Sequence, residues 1–99
     1  MKKTFSLEVP GKDAARVRDK IRQEVNRYVR RERRKELPEG FDALEFACKV
    51  GATPATAEVR SLKEVGPAID TVAATGVTGV YVEILSAPTH RRFPRLEGA

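Results

Sequence analysis

The sequence predicts an α+β fold in which a four-stranded antiparallel sheet is covered on one face by two helices. Four segments alternate apolar and polar residues, as half-buried strands do, and two segments repeat apolar residues every three or four positions, as helices do. These segments follow one another in the order β-α-β-β-α-β along 99 residues. This order is that of the ferredoxin-like sandwich. In that arrangement, right-handed crossovers place strands one and three at the centre of the sheet.

The first strand and the first helix are predicted within residues 4–37. Residues 4–9 alternate, and Pro10 and Gly11 end the strand. Residues 12–37 form a long helix whose apolar stripe faces the core. The stripe consists of Ala14, Val17, Ile21, Val25, Tyr28 and Val29. Because it stops at Val29, while Pro38 ends the helix, we expect residues 30–36 to extend beyond the core.

The remaining elements are shorter. Residues 41–50 and 57–60 are predicted to form a hairpin around the turn-like loop 51–56, with Ala57 and Val59 facing inward. Ser61 and Glu64 have capping-box spacing at the start of a second helix, residues 62–75. Pro67 loosens its first turn, or Gly66 and Pro67 mark its true start. Residues 80–85 form the last strand. The residues predicted inward on the second and fourth strands are Leu44, Phe46, Cys48, Val50, Val80, Val82 and Ile84.

The outer face of the sheet is predicted to be open. It would carry Ser6, Glu8, Glu45, Lys49, Glu58, Arg60, Tyr81 and Glu83. We expect residues 1–87 to form a single domain and residues 88–99 a flexible tail. The tail contains Arg91, Arg92, Phe93 and Arg95, which in an alternative arrangement fold back over the open face. A mobile tail is favoured, because exposed ion pairs contribute about 0–1 kcal/mol while ordering each residue costs roughly 1–2 kcal/mol.

Composition excludes several classes of protein. No apolar run approaches the length of a membrane span, and the first residues do not form a signal peptide, so we expect a cytoplasmic protein without a membrane partner. A single cysteine excludes an internal disulfide. The net charge of +5 is uneven, since residues 1–37 hold 13 basic and 6 acidic side chains while residues 38–86 hold 3 and 7. Such asymmetry indicates a polyanionic partner.

Residues that could perform chemistry are few, and each has a simpler interpretation. His90 is the only histidine and falls in the proline-rich tail, where a solvated role is favoured. Cys48 lies on an inward position and is interpreted as a small core residue. Glu8 and Glu83 would be neighbours if strands one and four pair, but outward glutamates on a solvated sheet are common. No phosphate-binding or metalloprotease motif is present. We therefore predict no enzyme activity and no cofactor.

Basic residues recur on the side of the long helix opposite its apolar stripe. Pairs such as Arg27 and Arg31, or Arg30 and Arg34, lie four residues apart and each cost roughly 0.2–0.5 kcal/mol in an isolated helix. On a surface selected only for stability, positive and negative side chains would alternate. The simpler alternative is a solvated face that keeps the protein soluble. The candidate polyanion-binding residues are Arg16, Lys20, Arg27, Arg30, Arg31, Arg33 and Arg34.

Two functions remain open for this helix. The first is non-catalytic, sequence-tolerant binding of nucleic acid, chiefly RNA. The second is an adaptor role in which the helix docks on an acidic protein surface. RNA recognition of the RRM type is disfavoured because strands one and three offer no outward aromatic residue for base stacking. Nucleic acid would therefore be bound through its phosphates and shape.

Three stretches of the chain, taken together, carry a resemblance to other proteins. They are MKKTFSLEVPGK at residues 1–12, RYVRRERRKELPEGFDALEFACKVG at residues 27–51 and VYVEILSAPTHR at residues 80–91. Together they resemble a family of small bacterial proteins that is known as a domain of unknown function. The resemblance covers nearly the whole chain and implies a compact cytosolic bacterial protein. It implies no activity, ligand or catalytic residue.

Overall fold

The structure, a computed structural model, describes residues 1–90. The strands are β1 (Lys2–Ser6), β2 (Ala43–Gly51), β3 (Glu58–Arg60) and β4 (Gly79–Thr89), and the helices are α1 (Ala14–Arg33) and α2 (Val65–Ala74). Short 3-10 turns occupy Pro54–Thr56 and Leu62–Glu64. All three strand pairs are antiparallel. The predicted fold class is confirmed: a four-stranded antiparallel sheet with two helices in a ferredoxin-like arrangement.

The order of the strands differs from the prediction. The sheet runs β1-β4-β2-β3, so the central strands are β4 and β2, and the expected central position of strands one and three is wrong. Exposed Lys2 and Lys3 suit β1 to an edge, where charged side chains discourage further pairing. In β4, by contrast, Val80, Tyr81 and Val82 are consecutive buried residues. A strand with consecutive buried residues is typical of the centre of a sheet, where a neighbouring strand lies on either side.

The core lies between one face of the sheet and the two helices. Side chains from every helix, and from strands β1, β2 and β4, form one cluster in which Ile69, Val80, Val82 and Ile84 have no exposed surface. The inward positions predicted for β1, β2 and β4 are confirmed except for Leu44, which is half-buried and lies outside this cluster. The buried members of the cluster are Phe5, Leu7, Val17, Ile21, Val25, Val29, Cys48, Val50, Val65, Ala68, Ile69, Val80, Val82 and Ile84.

Strand β3 has the opposite register to the one predicted. Val59 pairs with Lys49 and is 75% exposed, so it faces the outer side of the sheet. Glu58 and Arg60 pair with Val50 and Cys48 and lie on the helix side, where the prediction had placed Val59. A strand of three residues at the edge contributes too little buried surface for its own pattern to determine its register.

The C-terminal end of α1 rests on the sheet. The helix ends at Arg33, earlier than predicted, and the expected overhang of residues 30–36 is wrong. Strand β4 continues to Thr89, further than its alternation indicated, and pairs there with Ala43, where β2 begins two residues later than predicted. Glu32 is therefore buried, at 8% exposure, and the Arg33 guanidinium lies 5.5 Å from the centre of the Phe46 ring.

The start of α2 combines both of the predicted alternatives. The Ser61 backbone N–H donates to the Glu64 carboxylate over 2.8 Å, which confirms the capping box. The capping box opens a 3-10 turn, and the α-helix itself starts at Val65, beside Gly66 and Pro67. Gly76 has a φ of 84° just beyond the end of the helix, as expected of a residue that ends a helix in the left-handed region.

The outer face of the sheet has no helix across it. Thr4, Tyr81 and Gly51 share one row of this face, and Lys2, Glu83 and Lys49 share the next. Tyr81 is nevertheless only 8% exposed. Strand β4 continues to Thr89, into the segment predicted as a tail. The predicted contacts of Arg91, Arg92, Phe93 and Arg95 lie outside the described residues.

Candidate polyanion-binding surface

Helix α1 presents a line of exposed cations to solvent. Its inner face is fixed by Val17, Ile21, Val25 and Val29 in the core, and the opposite side therefore faces outward. None of the cations on that side has an ion-pair partner within residues 1–90. This line consists of Arg16, Lys20, Arg27, Arg30 and Arg34, all exposed. At a rise of 1.5 Å per residue it is roughly 27 Å long.

Other cations of the same helix are neutralised. The side of α1 that faces α2 carries Arg18 and Arg22, and both contact Asp70 of that helix, Arg18 with its Nε 3.2 Å from Oδ1. Arg22 also bonds to Asp19 over 2.9 Å. In the described part of the chain, acidic side chains thus pair with the cations between the helices and with none of the cations of the outer line.

The two remaining predicted residues flank the line and pack against aromatic rings. The Arg31 guanidinium lies 5.7 Å from the centre of the Tyr28 ring, and Arg33 has the corresponding contact with Phe46. Such contacts attract a cation to the ring face and restrict the side chain without neutralising it. The structure therefore brings five of the seven candidates into one line and places the other two at its sides.

Lys63 is a cation near this surface that the sequence pattern did not indicate. It lines a cavity of about 280 Å³ between the helices together with Arg22 and Arg33. The floor of the cavity is apolar, with Val25, Val29, Leu62, Val65 and Ile69. Lys63 lies two residues after the N-cap residue Ser61 and is exposed. Sequence alone does not bring residues 33 and 63 together, because their proximity depends on how the two helices pack.

The C-terminal end of the surface is fixed by Glu32. Its carboxylate accepts a 2.7 Å hydrogen bond from the Ser86 hydroxyl and contacts the Lys35 ammonium at 2.5 Å. Hydrogen bonding from Lys35, followed by that from Ser86, lowers the pKa of Glu32 below its usual value of 4.5. An ionised Glu32 thus holds this end of α1 against β4, which positions Arg30, Arg31 and Arg33 around it.

The residues considered for catalysis do not form a site. Glu83 is opposite Lys2, whereas Glu8 lies beyond the end of β1, so the predicted proximity of the two glutamates is wrong. Cys48 is buried, as predicted, and desolvation raises the pKa of its thiol. His90, interpreted from sequence as a solvated tail residue, instead stacks on Phe41 with ring centres 4.6 Å apart.

Within residues 1–90, no helix is both long and apolar enough to cross a membrane.

The comparisons with known proteins give one match. No curated protein and no solved structure matches the chain. A family described as a family of unknown function (DUF6172) matches residues 1–94, which contain every element described above. The chain therefore belongs to this family of unknown function, DUF6172.

Proposed function

We propose that this protein binds nucleic acid, chiefly RNA, through the outer face of α1 and without preference for sequence. The observation that carries the proposal is the contrast between the two sides of the helix. Arg18 and Arg22 are paired with Asp70, while Arg16, Arg27 and Arg30 are exposed and have no ion-pair partner among residues 1–90. Unpaired cations along one side of a helix raise the local electrostatic potential, and a polyanion neutralises all of them together.

Arginine predominates in this line, which suits phosphate contacts. A guanidinium presents several N–H donors in a fixed plane and bonds to two phosphate oxygens at once. Glutamate carboxylates that would compete for these donors are directed elsewhere, with Glu24 bonded to Lys3 and Glu32 to Ser86. In this proposal the protein is non-catalytic and cytoplasmic, and its role is to bind nucleic acid.

Phosphate contacts predict binding that depends steeply on salt. The logarithm of the association constant should fall linearly with the logarithm of salt concentration, with a slope of about −0.7 to −0.9 per phosphate contacted. The measurement is fluorescence anisotropy of labelled mixed-sequence RNA, titrated with the full chain at several salt concentrations. An absence of binding at low salt would remove the proposal.

A matched pair of double variants locates the surface. Arg27→Gln with Arg30→Gln removes two charges from the line, and we expect at least about a tenfold loss of affinity at low salt and a slope shallower by about 1.4–1.8. Lys2→Gln with Lys49→Gln removes the same charge from the outer sheet face and should change affinity less than about threefold. Equal losses in both variants would show that net charge, and not this surface, determines binding.

The same measurements distinguish RNA binding from the adaptor hypothesis. If α1 docks on an acidic protein, the wild-type chain should show no salt-dependent RNA binding, and nuclease treatment should not release partners captured from cells. We favour RNA because the cations follow one side of the helix over roughly 27 Å. A nucleic acid backbone carries negative charge along its whole length and can neutralise cations over this distance, whereas the charges of a protein surface are scattered.

A further inference from the structure

Among residues 1–90, each phenylalanine or tyrosine ring is buried or has a cation or another ring against it. Lys3 Nζ lies 4.9 Å from the centre of the Phe5 ring, and Arg31 and Arg33 lie over Tyr28 and Phe46. Tyr81 is buried. Phe41, the most exposed ring among residues 1–90, is stacked on His90. The described part of the chain thus contains cations for phosphates and no free platform for bases.

We propose that the outer face of α1 binds double-stranded RNA in preference to single-stranded RNA; this inference rests on the proposed function. Proteins that bind single strands without sequence preference combine a basic groove with aromatic side chains on which bases stack, each stack being worth about 1–3 kcal/mol. In a duplex the bases are already stacked on one another and only the backbone is presented. A surface of exposed cations with covered rings matches the duplex.

Charge density favours the same ligand. A duplex carries about one negative charge per 1.7 Å of its axis, against one per 3.4 Å for each strand. A line of roughly 27 Å on α1 therefore faces about twice as many phosphates on a duplex. The helix is supported along its length by the core, through Val17, Ile21, Val25 and Val29, so its cations keep their spacing when the ligand binds. A rigid line suits a rigid partner, whereas a flexible strand would lose conformational entropy in following it.

The test compares a short blunt RNA duplex with an unstructured strand of the same length, using anisotropy with the full chain at matched salt. We expect the duplex to bind at least about tenfold more tightly, with a steeper salt dependence. The double variant of Arg27 and Arg30 should weaken binding to both ligands and reduce the difference between them. The variant of Lys2 and Lys49 should preserve the difference.

Phe41→Leu provides a second measurement, because this ring is exposed and its substitution does not touch the core. We expect its affinity for the single strand to stay within about twofold of the wild-type value, whereas loss of a stacked base costs about fivefold or more. Equal or tighter binding of the single strand, or a loss of that size in Phe41→Leu, would overturn the duplex preference while leaving RNA binding intact. Absence of binding to either ligand would overturn both proposals.

Discussion

The hydroxyl of Ser86 on β4 donates a 2.7 Å hydrogen bond to the carboxylate of Glu32 on α1. This contact joins the helix to the sheet at the point where the apolar stripe of the helix has ended. Glu32 is buried although it is charged, and Lys35 one turn later supplies the compensating cation. The basic end of α1 is therefore held in place by a polar contact, and polar contacts of this kind depend on pH.

The pH dependence of stability should reflect Glu32. Its folded-state pKa is lowered below 4.5, first by the Lys35 hydrogen bond and then by Ser86. Its contribution to stability is therefore fully present above pH 4.5 and is lost as the pH falls through the lowered folded-state pKa. We expect Glu32→Gln to lower the urea midpoint at neutral pH and to flatten the loss of stability in acid. Glu39→Gln, at an exposed position, is the control and should change neither.

Gly51 should not tolerate a side chain. A Cβ at this position would lie 2.6 Å from the Ala57 Cα, so the backbone must move, and we expect Gly51→Ala to destabilise the fold by roughly 1–3 kcal/mol. Gly79 is the matched control, because its nearest atom, the Phe5 carbonyl oxygen, would be 3.4 Å away. Gly79→Ala should be neutral or stabilising by up to about 1 kcal/mol. Equal losses in urea denaturation would contradict this difference in space.

The register of β3 can be tested with two valines. Val59 is 75% exposed, so we expect Val59→Thr to change the free energy of unfolding by no more than about 0.5 kcal/mol. Val82 is fully buried, and Val82→Thr places a hydroxyl in the core at a cost of roughly 1–3 kcal/mol. Chemical denaturation measures both. A cost at Val59 as large as that at Val82 would favour the inward position that the sequence pattern indicated.

Asp70 controls how many cations of α1 are available. Asp70→Asn removes the partner of Arg18 and Arg22, so we expect tighter RNA binding by about two- to fivefold at low salt. Because the pairs are at the surface, the loss of stability should be within about 1 kcal/mol. Glu58→Gln, which releases Arg60 at the sheet edge, makes the same change in net charge. An identical gain in that control would mean that RNA responds to overall charge alone.

Much of the fold could be predicted because its signals are local. The apolar stripe of α1, the capping box of Ser61 and Glu64, and the alternation of β2 and β4 each act within a few residues. The order of the strands depends instead on contacts between residues that are far apart in the sequence. One signal for it was present, since Lys2 and Lys3 in β1 are typical of an edge strand, but alternation alone does not separate a central strand from an edge.

The candidate surface was predictable only in part. The outward line could be read from helical spacing, because Val17, Ile21 and Val25 define the opposite side. The ion pairs of Arg18 and Arg22 could not be read from helical spacing, since they require Asp70 on another helix. Residues 16 and 18 therefore look alike in the sequence and differ in the structure. What distinguishes a free cation from a neutralised one is tertiary packing.

The position of β4 also determines when the sheet can form. Within residues 1–90, β1 pairs with no strand other than β4, and β4 separates β1 from β2. The register joins Phe5 to Val80, so closing this pair requires a long loop and carries the entropic cost of that closure. Before β4 is available, the only sheet that can exist is the β2 and β3 hairpin. We therefore expect slow folding for a chain of this size. In any fragment that lacks the last strand, α1 would lose the surface that supports it.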